Sequence, residues 1–237
     1  MINIDYQEKQ QRNHLNVFLK VVDPIFIKYY EKCKMRTMLS PEALYDLWWS
    51  VKYLCENDLR GDIVELGVWQ GGALEIVAHA LNEFKGNNRI VGFDTFEGHP
   101  MPEAEEIDIW GNNMLDKFHE VTNDGEKWCF ADYHSVENKL KSIYSNVTLI
   151  KGVVNETVDM SDINEISILR LDMDWYEPTK IALNKLYGKI QKGGALIIDD
   201  YGHHSGAKKA TDEYFKEKKL RINFRHINYS CIAASIV

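Results

Sequence analysis

The sequence predicts an α/β protein: an open, mostly parallel sheet flanked by helices, with an antiparallel C-terminal hairpin and additional N-terminal helices. Three observations carry this reading. From Asp62 onward, apolar runs of strand length alternate with stretches of helical periodicity. The internal runs are continuously apolar, as strands buried on both faces are, and four of them end in carboxylates. The last two runs, RINFRHI and SCIAASIV, lie too close together for a crossover helix and must therefore pair as a hairpin.

The elements follow in order. Residues 1–34 start polar and turn helical in pattern, with Leu15, Phe18, Leu19 and Val22 before a break at Pro24, then Phe26, Ile27, Tyr29 and Tyr30. Residues 1–56 are expected to form an N-terminal helical segment, a cap or dimerisation element, ahead of a main domain over 57–237. Ser40 followed by Pro41 is a helix start, with Ser as N-cap and Pro in the first turn. Leu44, Leu47, Trp48, Val51 and Leu54 follow at helical spacing, and Trp48 and Trp49 are expected in the core. DIVELG reads as a strand ending at Glu65, GVWQGGALEIVAHALNEF as a tight turn and helix, and RIVGFD as a second strand ending at Asp94. TFEGHPMPEAEEIDIWGNN, rich in Gly, Pro and acids, is a loop with an expected lid role. Residues 114–145 give one clear helix, Val136–Tyr144. NVTLIKG, ISILRLDMD and ALIIDDY are the third to fifth strands, with helices PTKIALNKLYGKI and GAKKATDEYFKEKK after the last two.

Composition excludes several classes. No apolar stretch approaches the roughly 20 residues of a membrane span. The start, MINIDYQEKQQRNH, lacks the basic-then-apolar layout of a secretory signal, so the expected compartment is the cytoplasm. A net charge of −8 disfavours a polyanion, and the densest basic run, Lys216–Arg225, is interrupted by Glu217; nucleic acid is not an expected partner. Cys33, Cys55, Cys129 and Cys231 form neither a disulfide framework nor a zinc motif, and most are expected as buried thiols.

Two constellations carry chemistry. The turn Glu65–Gly72, with Gly67 and Gly71 between a strand and a helix, lets backbone approach a ligand at a helix N-terminus. It reads E-x-G-x-x-x-G-G rather than the dinucleotide G-x-G-x-x-G, and its leading acid suits a cationic ammonium or sulfonium better than a pyrophosphate. Asp94, ending the second strand, suits a ribose diol; the alternative is a turn cap. The second constellation is Asp172, Asp174, Asp199 and Asp200, at the ends of the fourth and fifth strands. Unpaired acids at one rim repel one another, and oxygen-only ligands suit a hard divalent cation such as Mg²⁺. The alternative is ion pairing to Arg170, Lys180, Lys208 or Lys209. Such a site suits activation of an acceptor hydroxyl, with Asp174 as the candidate base and His203 or His204 as rivals.

GDIVELGVWQGGA, GFDTFEGHP, LRLDMDWYEPT and GGALIIDDYG, in this order and spacing, resemble the macrocin O-methyltransferase family of sugar O-methyltransferases over roughly residues 35–232. The resemblance implies a class I methyltransferase fold, S-adenosyl-L-methionine and Mg²⁺ as cofactors, and a small-molecule or glycan acceptor. It implies Asp172, Asp199 and Asp200 as metal ligands and Asp174 as base. Glu65 and Gly67 would line the methionine part of the cofactor, and Asp94, Thr95 and Phe96 its ribose. Val68, Trp69 and Gly71 of the turn complete the set, together with Thr37 and Met38 of MRTMLS. Met173, Trp175 and Pro178 stand where the family usually has Gly, Leu or Met, and Ser, so the acceptor pocket is expected to differ. A homodimer is the expected assembly. The competing readings are a catechol-type O-methyltransferase, with Trp69, Trp175 and Tyr176 stacking the acceptor ring, and a non-catalytic binding module.

Overall fold

The structure is a computed structural model that describes residues 17–237. The expectations for residues 1–16, including Leu15, lie outside the described residues. The sheet has seven strands in the order β3-β2-β1-β4-β5-β7-β6. These are β1 (Asp62–Leu66), β2 (Ile90–Asp94), β3 (Val147–Lys151), β4 (Ile166–Leu171), β5 (Ile190–Ile198), β6 (Arg225–His226) and β7 (Ile232–Ser235). The first five are parallel; β7 runs antiparallel to β5 and β6 antiparallel to β7. All six residues of β4 are buried, which is why that run is continuously apolar except for Ser167 and Arg170. Strand order reverses between β1 and β4, so a crevice opens beyond their carboxyl ends.

Helices cover both faces. On one side lie α1 (Pro24–Cys33), α2 (Pro41–Glu56), α3 (Gly72–Phe84) and α5 (Tyr133–Ile143); on the other lie α7 (Tyr176–Leu186) and α8 (Ser205–Glu217). Helix α4 (Met114–Thr122) and the one-turn α6 (Val154–Thr157) lie in the connections. Ser40 caps α2 by accepting from the Ala43 N–H at 3.3 Å, as its position before Pro41 predicts. From the N-terminal segment, Val22, Phe26 and Cys33 are core residues, and Phe26 meets Trp48 edge-on at 6.1 Å.

Three expectations change. Trp48 is fully buried but Trp49 is 50% exposed, because neighbours on a helix point about 100° apart and only one can face the core. Helix α4 was not anticipated: it buries only Met114, so its apolar periodicity is weak, and the Asn113 side chain caps it through the Asp116 N–H at 3.0 Å. The RINFRHI strand shrinks to the two exposed residues of β6. All four cysteines are unpaired; Cys33 and Cys231 are buried, whereas Cys55 and Cys129 are half-buried. No helix among the described residues is long and apolar enough to cross a membrane.

Candidate active site

The glycine-rich turn joins β1 to α3. Gly67 has φ +91°, and a Cβ there would overlap the Asp172 carbonyl oxygen, so only glycine lets the ends of β1 and β4 come this close. Gly71 caps α3 with φ +81°. Arg36 donates from Nη2 to the Gln70 carbonyl at 2.7 Å, which lays the Thr37–Met38 segment against the turn.

Asp94 clasps this turn from the end of β2. Its Oδ2 accepts the Val68 and Trp69 N–H groups, each at 2.8 Å, and its Oδ1 accepts the Phe96 N–H at 2.6 Å. The turn-cap role is therefore realised. A carboxylate offers about four acceptor positions, which leaves Oδ1 capacity for a ligand hydroxyl. Trp69, Phe96, Cys129 and Asp174 all adopt positive φ without being glycine, so the backbone around this crevice is held in sparsely populated conformations.

Glu65 and Arg170 are register partners on β1 and β4. Arg170, 3% exposed, reaches Glu65 and Asp172 through Nη1, the latter at 2.8 Å, and Asp199 through Nη2 at 3.3 Å. Ion pairing to Arg170 is thus realised for two of the four aspartates, yet one guanidinium serves three carboxylates. Burial pushes Glu65 up to about 7 against the pull of Arg170. Burial and the Asp172 charge push Asp199 up to about 8. Asp200, buried beside Asp174, is raised well above the ordinary carboxylate range.

Asp174 lies past the end of β4, so strand alternation does not govern it. Burial would raise it, but the His99 imidazole and a hydrogen bond from Asp200 outweigh burial and keep it ionised. His99 Nε2 stands 3.1 Å from Asp174 Oδ2, and His204 Nε2 stands 3.8 Å from it. His203 turns to the rim instead, where its Nδ1 shares a 3.1 Å hydrogen bond with the Tyr229 hydroxyl.

One oxygen from each of Asp172, Asp199 and Asp200 falls within 4.8 Å of the others, and among the described residues no N–H or hydroxyl group donates to the buried Asp200 Oδ2. An all-oxygen set that, once ionised, carries more negative charge than Arg170 offsets, and that holds protons without a counter-charge, fits a hard divalent cation.

Two cavities share this centre. One, about 350 Å³, runs from Gly67, Asp94 and Thr95 to Gly152, Val153 and Val154 after β3. The other, about 880 Å³, is lined by Thr37, Glu65, Trp69, the four aspartates, His203 and His204. Met38, Trp69, His99, Cys129, Asp172 and Asp174 line both. The predicted site residues therefore converge, although Phe96 and Gly71 support the walls rather than line them. Trp175 is 2% exposed and donates Nε1–H to the Pro100 carbonyl at 3.1 Å; Tyr176 bonds Glu213 at 2.5 Å. Neither offers the open stacking face expected of it.

The loop after β2 covers the crevice. The Tyr176 N–H donates to Glu106 Oε1 at 2.8 Å, and the Ser205 N–H donates to the Ile107 carbonyl at 3.0 Å. His99, Glu106 and Val153–Val154 escaped sequence reasoning. The signal for His99 was its place between Gly98 and Pro100, two residues that punctuate a turn. Burial pushes Glu106 up to about 7. Nothing local marks it among the neighbouring acids Glu103 and Glu105.

The sequence model of the macrocin O-methyltransferase family matches residues 33–234. The chain is 28% identical over 184 residues to demethyldecarbamoylnovobiocin O-methyltransferase of Streptomyces niveus, covering 75% of this chain and 67% of that protein. It is 25% identical over 166 residues to mycinamicin III 3''-O-methyltransferase of Micromonospora griseorubida, covering 70% and 65%. It thus spans about two thirds of the length of these relatives. Among solved structures, the O-methyltransferase NovP superposes with a TM-score of 0.74 at 24% identity, covering 85% of this chain and 82% of that one. Calicheamicin methyltransferase CalS11 superposes at 0.63 with 20% identity, covering 99% and 94%. These likenesses place the fold among class I methyltransferases. With a clasped glycine turn at the switch point and the family's motifs in order along the whole matched span, the chain belongs to the macrocin O-methyltransferase family of S-adenosylmethionine-dependent O-methyltransferases.

Proposed function

We propose that the chain transfers the methyl group of S-adenosylmethionine to a hydroxyl of a sugar, with a divalent cation, Mg²⁺, at Asp172, Asp199 and Asp200. The observation that carries this reading is the wall between the two cavities, where the ionised Asp174 stands beside those three acids. The smaller cavity suits the cofactor's adenosine part, and the adjoining end of the larger one, at Thr37, Glu65 and Val68, suits its methionine part. Val153 and Val154 offer an apolar face to its base, and Asp94, Thr95 and Phe96 stand toward the ribose. Val68, Trp69 and Gly71 shape the turn, and Thr37 and Met38 close it. The unpartnered, buried Glu65 Oε2 suits the cofactor's ammonium, beside Gly67.

When bound, the cofactor supplies an electrophilic methyl group and the cation supplies charge that acidifies and orients the acceptor hydroxyl. The chain's residues do the rest. Asp174 accepts the hydroxyl proton at Oδ2, and His99 holds that carboxylate in place from the side of the loop. The loop residues Pro100 and Glu106, tied to Trp175 and Tyr176, keep water from the crevice. Catalysis then rests on alignment of the two substrates and on charge.

The test is methyl transfer from labelled cofactor to a panel of sugars, with and without EDTA. Transfer to sugars that stops in EDTA and returns with Mg²⁺ is expected. Turnover indifferent to EDTA would remove the cation, and transfer confined to catechols would remove the sugar.

A further inference from the structure

The mouth of the larger cavity carries aromatic surface that the methyl-transfer reading does not use. Trp110 is 73% exposed and Tyr229 62%, both lining that cavity. His203 lies between them, its ring 5.0 Å from Trp110 and 5.8 Å from Tyr229. Solvating two such large side chains at one place is costly unless something covers them.

The backbone that carries each ring is pinned in a hydrogen-bonded turn. Asp108 Oδ1 accepts the Trp110 and Asn112 N–H groups, each at 2.9 Å, and Gly111 at φ +83° closes the loop. On the other side, Asn228 Oδ1 accepts the Ser230 and Cys231 N–H groups at 2.8 and 2.7 Å. A Cβ at Gly202 would overlap the Tyr229 carbonyl, so that turn is packed tightly against the β5–α8 connection. Two preorganised aromatic faces thus flank the way in.

The lining decides what they take. Among the described residues, its only Lys and Arg side chains are Arg36 and Lys117. Arg36 is committed to the Gln70 carbonyl and Glu75, and Lys117 to Glu120 at 2.9 Å. Apart from the acids assigned to the cation and the cofactor, Asp108, Asp116, Glu120 and Asp174 still outnumber these two committed cations, which opposes a diphosphate. Amides and carboxylates, among them Asn112, Asp116 and Asn228, line the same cavity in alternation with apolar and aromatic side chains. This alternation suits a ring with apolar C–H faces and hydroxyl edges better than a uniformly apolar group.

We propose that Trp110, His203 and Tyr229 form an outer subsite that stacks a second, uncharged sugar ring, so that the acceptor is an oligosaccharide rather than a nucleotide-activated monosaccharide. This rests on the sugar reading of the site above.

The test uses full-length protein loaded with S-adenosylhomocysteine and Mg²⁺. Its binding is measured on an array of uncharged methyl glycosides, the disaccharides built from them, and the matching nucleoside-diphosphate sugars. A disaccharide preferred about tenfold over its component monosaccharides is expected. Trp110→Ala and Tyr229→Ala are each expected to cut that ratio by about fivefold. Trp49→Ala, which removes an exposed indole that lines neither cavity, serves as the control and leaves the ratio as it is. Equal binding of mono- and disaccharides, a preference for the nucleotide sugars, or a Trp110→Ala ratio equal to wild type would overturn the subsite while leaving sugar methylation standing. Absence of both binding and methyl transfer across all the sugars would overturn the two together.

Discussion

Replacing Arg170 with methionine tests the electrostatics of the site most directly. Methionine keeps an unbranched stem of similar girth but leaves Glu65, Asp172 and Asp199 without their shared cation. Removing one partner of a buried ion pair costs about 3–5 kcal/mol. For a domain of this size each kcal/mol lowers Tm by about 2–4 °C, so a fall of roughly 6–20 °C is expected. The loss must depend on pH. At pH 8 the guanidinium lets Glu65 and part of Asp199 ionise as paired charges, whereas without it they must keep their protons or repel one another; near pH 5.5 both, raised to about 7 and about 8 even with Arg170 present, hold protons in either protein and need the guanidinium less. Mg²⁺ should return part of the lost stability, by binding the folded state alone. Calorimetric melts of wild type and Arg170→Met at both pH values, with EDTA or Mg²⁺, provide the measurement. A loss below 2 °C at pH 8, or one equal at both pH values, would show that Arg170 acts by packing and not by charge.

The remaining predictions concern the same crevice. In EDTA the wild-type Tm should fall as pH rises from about 5 to about 8.5. Glu65 and Asp199 keep protons in the folded state that the unfolded chain releases near its ordinary carboxylate pKa, so their stabilisation is full below that pKa and lost through the folded one. A metal-free Tm that climbs through this window contradicts the assignment, and Mg²⁺, competing with those protons, should flatten the curve. Asp199→Ala should abolish turnover yet keep cofactor affinity within a few-fold by titration calorimetry; full activity in this variant would refute its role as a ligand. Asp174→Asn should lower kcat by about 10²–10⁴ with cofactor affinity retained, and a smaller effect would pass the base role to a histidine. Gly67→Ala should cost at least about 1–3 kcal/mol in urea denaturation, since φ +91° and overlap with the Asp172 carbonyl act together; a neutral variant would mean the two strand ends can separate freely.

Much of the fold could be read from local pattern. The fourth and fifth strands are legible as continuous apolar runs because both of their faces are buried, and the acids Asp172, Asp199 and Asp200 are legible because they interrupt those runs at their ends. Helix α4 was missed because it hardly contributes to the core, and Trp49 because an apolar pair looks the same whichever member is buried. His99 and Glu106 approach Asp174 and Tyr176 across some 70 residues of chain, and no local periodicity reports such an approach.

The amino-acid order alone determined that five strands would run parallel, that four of them would end in carboxylates, and that a glycine turn would follow the first. Each of these is a consequence of short-range geometry and of which side chains avoid water. How those carboxylates divide their labour came from three-dimensional packing. It set one guanidinium among Glu65, Asp172 and Asp199, gave Asp200 no basic partner among the described residues, gave Asp174 two imidazoles, and turned His203 away toward Tyr229. Charge pairing depends on distances of a few ångströms between neighbouring strands and an overlying loop, and sequence spacing does not encode those distances.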